Sequence, residues 1–230
     1  MVPESGGPNR LPFLTGTTTS ADLFPLYSRT MSSVEPSKHY DGLAYLNSGY
    51  RRGLDILLCM VLWVPVHAVL GLVWLGTLGI RQNSFLFVQE RIGRRGQVFL
   101  IYKLRTIRTN HPTAHQFTHT DQDLLPKGSF LRRWRIDEFP QIWNVLKGEM
   151  SWIGPRPEVP FHYHKCAQDI PCYVDRQLAL PGITGWAQLQ NPNATAEDNE
   201  AKLPHDIYYL KNASLRLDAL ILIRTLKILQ

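Results

Sequence analysis

Two carboxylates stand side by side in "RIDEFPQIWNVLKG", residues 135–148: Asp137 and Glu138, with Pro140 just beyond and Arg132, Arg133 and Arg135 just before. Proline in the first turn of a helix sacrifices no hydrogen bond, because those N–H groups have no intrahelical partner. Pro140 therefore predicts a helix that starts near Ile136 and closes at Gly148, with Ile142, Trp143 and Leu146 as its buried stripe. Both acids would then sit in the first turn, where the helix dipole favours ionised carboxylates and the same end attracts phosphate. Adjacent residues diverge by about 100° around a helix, so one acid could attack while its neighbour holds a cation. Taken alone, the pair could equally be a capping pair with surface arginines.

Nearby residues suit the same chemistry. In "GEMSWIGPRPE", Pro155 and Pro157 stiffen the chain around Arg156, and a guanidinium held in place suits phosphate. "LPGITGWAQLQN" adds a Pro-Gly turn and a close backbone approach at Gly185. "SFLFVQ" and "QVFLIYKLRT" predict two strands joined by a turn with Gly93 and Gly96, hence a β-hairpin. With a period of two, Lys103 and Arg105 share a face, either a solvated basic edge or an anion-binding one.

Other constellations are weaker. His111, His115 and His119 have four-residue spacing, but Pro112 and the polar composition make that stretch a loop. Asp121 and Asp123 form a DxD of the kind that holds metal in many nucleotide-sugar glycosyltransferases, at a spacing common by chance. His162, His164 and Cys166 form a third cluster without a metal-ligand pattern.

The elements that must carry these residues are of unlike kinds. Residues 1–48 read as an extension: Pro3, Pro8, Pro12, Pro25 and Pro36 and a Thr/Ser tract punctuate a tail without periodicity. From Ile56 to Ile80 there is no Asp, Glu, Lys or Arg. As one helix that run would reach roughly 37 Å, enough for a hydrocarbon core of about 30 Å. Pro65 interrupts it, His67 lies within it, and arginines flank both ends: Arg51 and Arg52 before, Arg81, Arg91, Arg94 and Arg95 after. Arginines on both sides fit a helix that dips in and returns as well as they fit a kinked span. The last segment, "ASLRLDALILIRTLKILQ", reads as core or as an interfacial helix. The 230 residues, with a formal charge of +6, point to an anionic partner: nucleic acid, a membrane surface or a phosphorylated substrate. Cys59, Cys166 and Cys172 form no CxxC pair, which fits a reducing compartment.

In combination, the basic start with its proline-broken apolar run, "QERIGRRGQVFLIYKLRT", "RIDEFPQIWNVLKGEMSWIGPRP", "LPGITGWAQ" and "HDIYYLKNASLRLDALIL" resemble the bacterial sugar transferase family, the monotopic polyprenyl-phosphate phosphoglycosyl transferases. The resemblance runs from about Arg51 to the C-terminus. It implies an α/β (α+β) fold: a re-entrant membrane helix hairpin at 49–82 kinked at Pro65, then a small catalytic domain at 83–230 with a short β-hairpin and interfacial helices. It implies a monotopic enzyme on the cytoplasmic face of the bacterial inner membrane. The expected reaction moves a sugar 1-phosphate from a nucleotide diphosphate sugar, usually uridine-linked, to a polyprenyl phosphate such as undecaprenyl phosphate, with Mg2+. By motif, Asp137 is the nucleophile and Glu138 its metal-holding neighbour, Asp137 sharing the metal; Arg132 and Arg156 lie near the phosphates, and Lys103 and Arg105 form a basic motif. The partners implied are both substrates and membrane lipids, with no nucleic acid and with oligomerisation left open.

The sequence departs from the family pattern in places. Arg135 stands where a capping Ser or Thr is common, Val64 precedes the membrane proline where Ser is frequent, and Ile107 and Glu149 replace Met and Asp. "NPNATAED" differs from the usual loop, and the multi-span N-terminal part of larger members has no counterpart. Two rivals remain: a DxD glycosyltransferase releasing UDP, and a non-catalytic membrane-anchored basic module.

Overall fold

The computed structural model describes residues 40–77, 85–107, 124–125, 127–192 and 198–228. The extension up to 39, Arg81, the histidines 111, 115 and 119 and the DxD at Asp121 and Asp123 all lie outside these residues.

The apolar run forms α2 (Gly49–Thr77), which follows a single turn, α1 (Leu43–Leu46). At 29 residues α2 extends about 43 Å, and it continues as one helical element through Pro65. By length and composition it could cross a membrane. It is not uniform around its circumference. Arg51, Asp55, Cys59 and Val66 fall on one face at helical spacing and are buried, whereas Leu57, Met60, Val61, Val64, Leu72 and Leu75 are exposed. The buried face joins a core of Phe99, Ile101, Ile142, Val145 and Met150.

Polar groups fasten the start of α2. Asp55 Oδ1 accepts from Ser151 Oγ at 3.0 Å and from the Trp152 N–H at 3.1 Å. Arg51 is paired to Asp218 at 3.3 Å and bonds the Ile153 carbonyl and Tyr209 Oη. Arg52 donates to the carbonyls of Val145 at 2.6 Å and Leu146 at 2.9 Å, satisfying a helix end. Arg51 and Arg52, read as one membrane flank, thus serve internal packing. His67 donates Nδ1 to the Trp63 carbonyl at 2.8 Å, one turn back on the same helix.

The hairpin forms as predicted. Strand β1 (Leu86–Ile92) pairs antiparallel with β2 (Val98–Leu104), and Gln89 stands opposite Ile101. Strand β1 runs three residues beyond the expected Gln89, and the turn narrows to Gly93–Gly96. Phe99 and Ile101 point inward, while Leu86, Val88, Val98 and Leu100 are exposed on the other face.

Short helices follow: α3 (Gly128–Arg133), α4 (Ile142–Lys147), α5 (Pro160–Asp169), α6 (Trp186–Gln190), α7 (Asn199–Asn212) and α8 (Leu215–Ile228). A second, unforeseen two-stranded sheet pairs β3 (Ser151–Ile153) parallel with β4 (Gly182–Thr184). Its glycines are steric requirements: a Cβ on Gly182 would fall 2.0 Å from the Gly154 nitrogen, and one on Gly185 would fall 2.2 Å from the Gly154 carbonyl oxygen. The "GPRP" and "PGITG" segments thus touch backbone to backbone, as the Gly185 approach predicted. Helix α8 contributes to the core through Asp218 and Ile221, which are buried, while Leu215, Leu220, Ile223 and Leu226 are exposed.

Candidate active site

The paired acids sit in a 3-10 turn, Ile136–Gln141, that runs directly into α4. The expected single α-helix is thus divided. The turn opens on Arg135 in the left-handed region (φ 51°), with no side-chain cap, and α4 closes at Gly148 (φ 83°). The buried stripe also differs: Ile142 and Val145 are buried, but Trp143 is 43% exposed and packs edge-on against Trp63 of α2. Where α4 was read as meeting the core through Trp143, that ring meets the membrane-type helix.

Asn144 places this unit against the hairpin. It is fully buried; its Nδ2 donates to the Leu100 carbonyl and to Glu149 Oε2, both at 2.7 Å, and its Oδ1 accepts from the Tyr102 N–H at 3.2 Å. One side-chain amide thus satisfies the edge of β2 that β1 leaves open. Lys103, the next residue, is thereby brought to the acids.

The two acids have unlike surroundings. Glu138 is buried and is the hub of three cations: Lys103 Nζ at 3.2 Å and Arg156 Nη2 at 3.1 Å on Oε1, and Arg135 Nη1 at 3.7 Å from Oε2. Burial alone pushes its carboxyl up, but Lys103, Arg156 and Arg135 outweigh burial and hold the group well below the usual carboxylate range. Asp137 is half-buried and has no ion pair among the described residues. Burial and then the Glu138 charge push its carboxyl up, against the pull of Lys103 and Arg132. At Asp137 burial and the Glu138 charge work against the ionised form that the helix dipole was expected to favour. The dipole of a short 3-10 turn is weak beside burial and an adjacent negative charge.

Of the remaining predicted residues, Arg156 is paired to Glu138, which raises its pKa further. Arg132 donates Nε to Thr106 Oγ1 at 2.9 Å, and its charge reaches Asp137. Lys103 is inside the site, so the reading of a solvated basic edge is overturned for it; burial lowers its pKa against the pull of Glu138. Arg105 is not among the groups paired to Glu138 and lies over the Phe87 ring at 5.7 Å, since it falls past the end of β2, where strict alternation stops. His162, His164 and Cys166 lie on α5, where the Cys166 sulfur accepts from Asn199 at 3.3 Å. Pro65 is on the exposed side of α2, remote from this cluster's contacts.

Several site residues had no distinctive sequence signal. Arg135 was visible only as one of three arginines. Glu158 is buried directly after the GPRP turn, paired to Arg176 at 3.5 Å and to Lys202 at 3.6 Å, and Arg176 pairs with Asp206 at 2.8 Å. The only available hint was the position of Glu158 beside Pro157.

A metal can be tested against this geometry. Glu138 Oε2 is buried with no hydrogen-bond partner, and Asp137 stands beside it. Among the described residues no cluster of three or more His, Cys, Asp or Glu could hold a metal. Mg2+ typically takes only one or two carboxylates and completes its shell with water and substrate phosphates. The pair fits that demand.

The model of the family described as "Bacterial sugar transferase" matches residues 46–230. The UDP-N-acetylgalactosamine-undecaprenyl-phosphate N-acetylgalactosaminephosphotransferase of Aeromonas hydrophila is 37% identical over 206 residues, covering 88% of this chain and 47% of that protein. The UDP-glucose:undecaprenyl-phosphate glucose-1-phosphate transferase of Escherichia coli K12 is 33% identical over 227 residues, covering 92% and 49%. The UDP-glucose:undecaprenyl-phosphate glucose-1-phosphate transferase of Caulobacter vibrioides is 37% identical over 186 residues, covering 76% and 67%. The chain thus spans about half the length of the first two relatives. With the match extending from the start of α2 to the C-terminus, the chain belongs to the bacterial sugar transferase family.

Proposed function

We propose that this chain transfers a sugar 1-phosphate from a UDP-sugar to a polyprenyl phosphate, such as undecaprenyl phosphate, through a covalent intermediate on Asp137. The observation that carries the reading is the contrast between the acids: Glu138 is buried and held by three cations, while its neighbour Asp137 is half-buried and has no ion pair among the described residues. A carboxylate with an accessible oxygen beside a cluster of Lys103, Arg132, Arg135 and Arg156 suits attack on an anionic phosphorus. The names of the relatives support the substrate classes.

In the first step an Asp137 carboxylate oxygen attacks the phosphorus that bears the sugar. The bond from that phosphorus to the UMP oxygen breaks, and UMP leaves with the electron pair. In the second step an oxygen of the lipid phosphate attacks the same phosphorus. The Asp137 carboxylate leaves, and polyprenyl diphosphate sugar forms. Splitting the encounter of two anions into two displacements lowers each barrier. Lys103 and Arg156, now on Glu138, turn toward the substrate phosphates, while Arg132 lies on the Asp137 side; together they spread the developing charge. Glu138, with Asp137, would hold Mg2+, which when bound neutralises phosphate charge and orients the diphosphate.

The contacts of α2 bear on the membrane arrangement. Arg51 and Asp55 tie one end of α2 to β3 and α8, and Val66, past Pro65, packs against the same core as Phe99 and Ile101. These contacts support a helix that enters the membrane and returns rather than crossing it, with Pro65 as the place where α2 would bend. Nucleotide sugars place that side at the cytoplasmic face of the inner membrane.

The test offers UDP-sugars and polyprenyl phosphate with magnesium and measures UMP release, with intact mass to detect the adduct. Wild type is expected to release UMP and gain the mass of a phosphosugar; Asp137→Asn is expected to do neither, since an amide is a poor nucleophile. Adduct on Asp137→Asn, or UDP as the product, would overturn the assignment.

A further inference from the structure

Four consecutive carbonyls around Arg156 are each held from another part of the chain. Pro155 O accepts from the Gly182 N–H at 3.0 Å, and Glu158 O from the Ile92 N–H at 2.9 Å. Arg156 O accepts from Arg176 Nη2 at 3.0 Å, and Pro157 O from Arg91 Nη1 at 2.9 Å. Pro155 and Pro157 carry no N–H, so this segment cannot be fixed through a regular ladder of its own donors. It is held almost wholly by what reaches its carbonyls.

Arg176 has the most constrained position of these partners. Its guanidinium is buried, paired with Asp206 at 2.8 Å and Glu158 at 3.5 Å, bonded to Tyr173 Oη at 2.7 Å, and stacked over the Tyr173 ring at 5.0 Å. Lys202 supports Glu158 from the other side at 3.6 Å. Arg176 thus grips the Arg156 carbonyl and the Glu158 carboxylate at once, on either side of Pro157. Burying so many charges is a poor way to gain stability, because apolar residues of similar volume often do as well. A planar guanidinium with donors in fixed directions does give placement.

We infer that Arg176, set by Asp206 and Glu158, is the positioning residue for Arg156: it fixes the backbone on which the Arg156 guanidinium reaches the phosphate site beside Glu138. The inference rests on the reading that Arg156 meets substrate phosphate. It assigns Arg176 no contact with substrate.

The experiment is a double-mutant cycle on the full chain: Arg176→Lys, Arg156→Lys and the double variant. UMP release gives kcat and KM, and amide hydrogen exchange is followed at Gly182 and, as a control, at Leu210. Arg176→Lys is expected to lower kcat/KM about tenfold in wild type but less than about threefold on top of Arg156→Lys. The Gly182 amide, bonded to Pro155 O, is expected to exchange faster while Leu210 in α7 is unchanged. Equal losses in both backgrounds, or unchanged exchange at Gly182, would overturn the inference. Should Arg176→Lys fail to fold, Glu158→Gln, which loosens the carboxylate's pairs with Arg176 and Lys202 and leaves the Arg156 carbonyl bond in place, is used in the same cycle with the same outcomes. Absence of UMP release from wild type would refute the proposed reaction instead, while exchange at Gly182 would still decide whether Arg176 holds the loop.

Discussion

Burial acts on both Asp137 and Glu138, yet their pKa values move apart, because three cations converge on Glu138 and Asp137 keeps a like charge beside it. The raised Asp137 value has a kinetic consequence. A nucleophilic carboxylate must be ionised, so adduct formation should rise with pH along a limb above the ordinary aspartate range. Arg132 opposes that rise by stabilising the ionised form. Arg132→Gln should therefore move the acid limb to higher pH, and adduct formation should fall more at mildly acidic pH than at neutral pH. Intact-mass measurement of adduct formation across pH checks this; a limb that stays put would remove Arg132 from the neighbourhood of Asp137. For stability the signs are opposite. Asp137, raised in the fold, contributes at low pH and loses that contribution as pH rises through its folded value. Glu138, depressed in the fold, contributes above the ordinary glutamate range and loses that contribution as pH falls toward its folded value.

At the level of elements, α4 and the hairpin meet through one buried amide. Asn144→Ala would leave the Leu100 carbonyl and the Tyr102 N–H without their partner inside the protein. An orphaned buried group costs about 1–3 kcal/mol, so the variant should lose about 3 kcal/mol in denaturant unfolding. A loss under about 0.5 kcal/mol would mean that water enters the edge of β2 freely. Helix α2 poses the other question at this scale. Its start is bonded to β3 and α8, and the eight steps from Thr77 to Phe85 can reach at most about 28 Å. A span that carried Thr77 across a hydrocarbon core of about 30 Å would leave β1 beyond the reach of that link from the partners of Arg51. The chain before Arg51 is therefore expected on the catalytic side, and a single cysteine placed there should resist labelling from the periplasm in intact cells. Pro65→Leu removes the proline that favours a bend there and should shift some of the population to an outward tail. Periplasmic labelling of the wild type would instead establish a single-pass anchor.

Over the whole molecule, charge and apolar surface compete as causes of membrane attachment. The formal charge of +6 attracts anionic lipid, but several cations are spent inside: Arg51 on Asp218, Arg156 and Lys103 on Glu138, and Arg176 and Lys202 on Glu158. What faces outward on α2 and α8 is Met60, Val61, Val64, Leu72, Ile223 and Leu226. At about 1 M salt the screening length falls to about 3 Å, which weakens surface electrostatics and leaves apolar burial intact. Membranes washed at that salt should retain the protein, and detergent should release it. Release by salt alone would make the basic surface the anchor.

Much of this protein was legible from its residues because the signals are local. A period of two marked the hairpin, a charge-free run marked α2, and a proline a few positions past two acids marked the start of their turn. The motif set identified the family, and the Gly185 approach was implicit in a Pro-Gly-x-x-Gly spacing. What depends on meetings between distant segments was decided only by tertiary structure. No pattern in "YVDRQL" tells that Arg176 will reach the Arg156 carbonyl, or that Asp206, thirty residues later, will pair with it. Alternation put Lys103 and Arg105 on one face, but the strand ends between them, so only Lys103 meets Glu138. The difference between the two acids is of the same kind: a carboxylate's ionisation depends on which charges surround it in space, and adjacent residues of a 3-10 turn, pointing about 120° apart, find different neighbours.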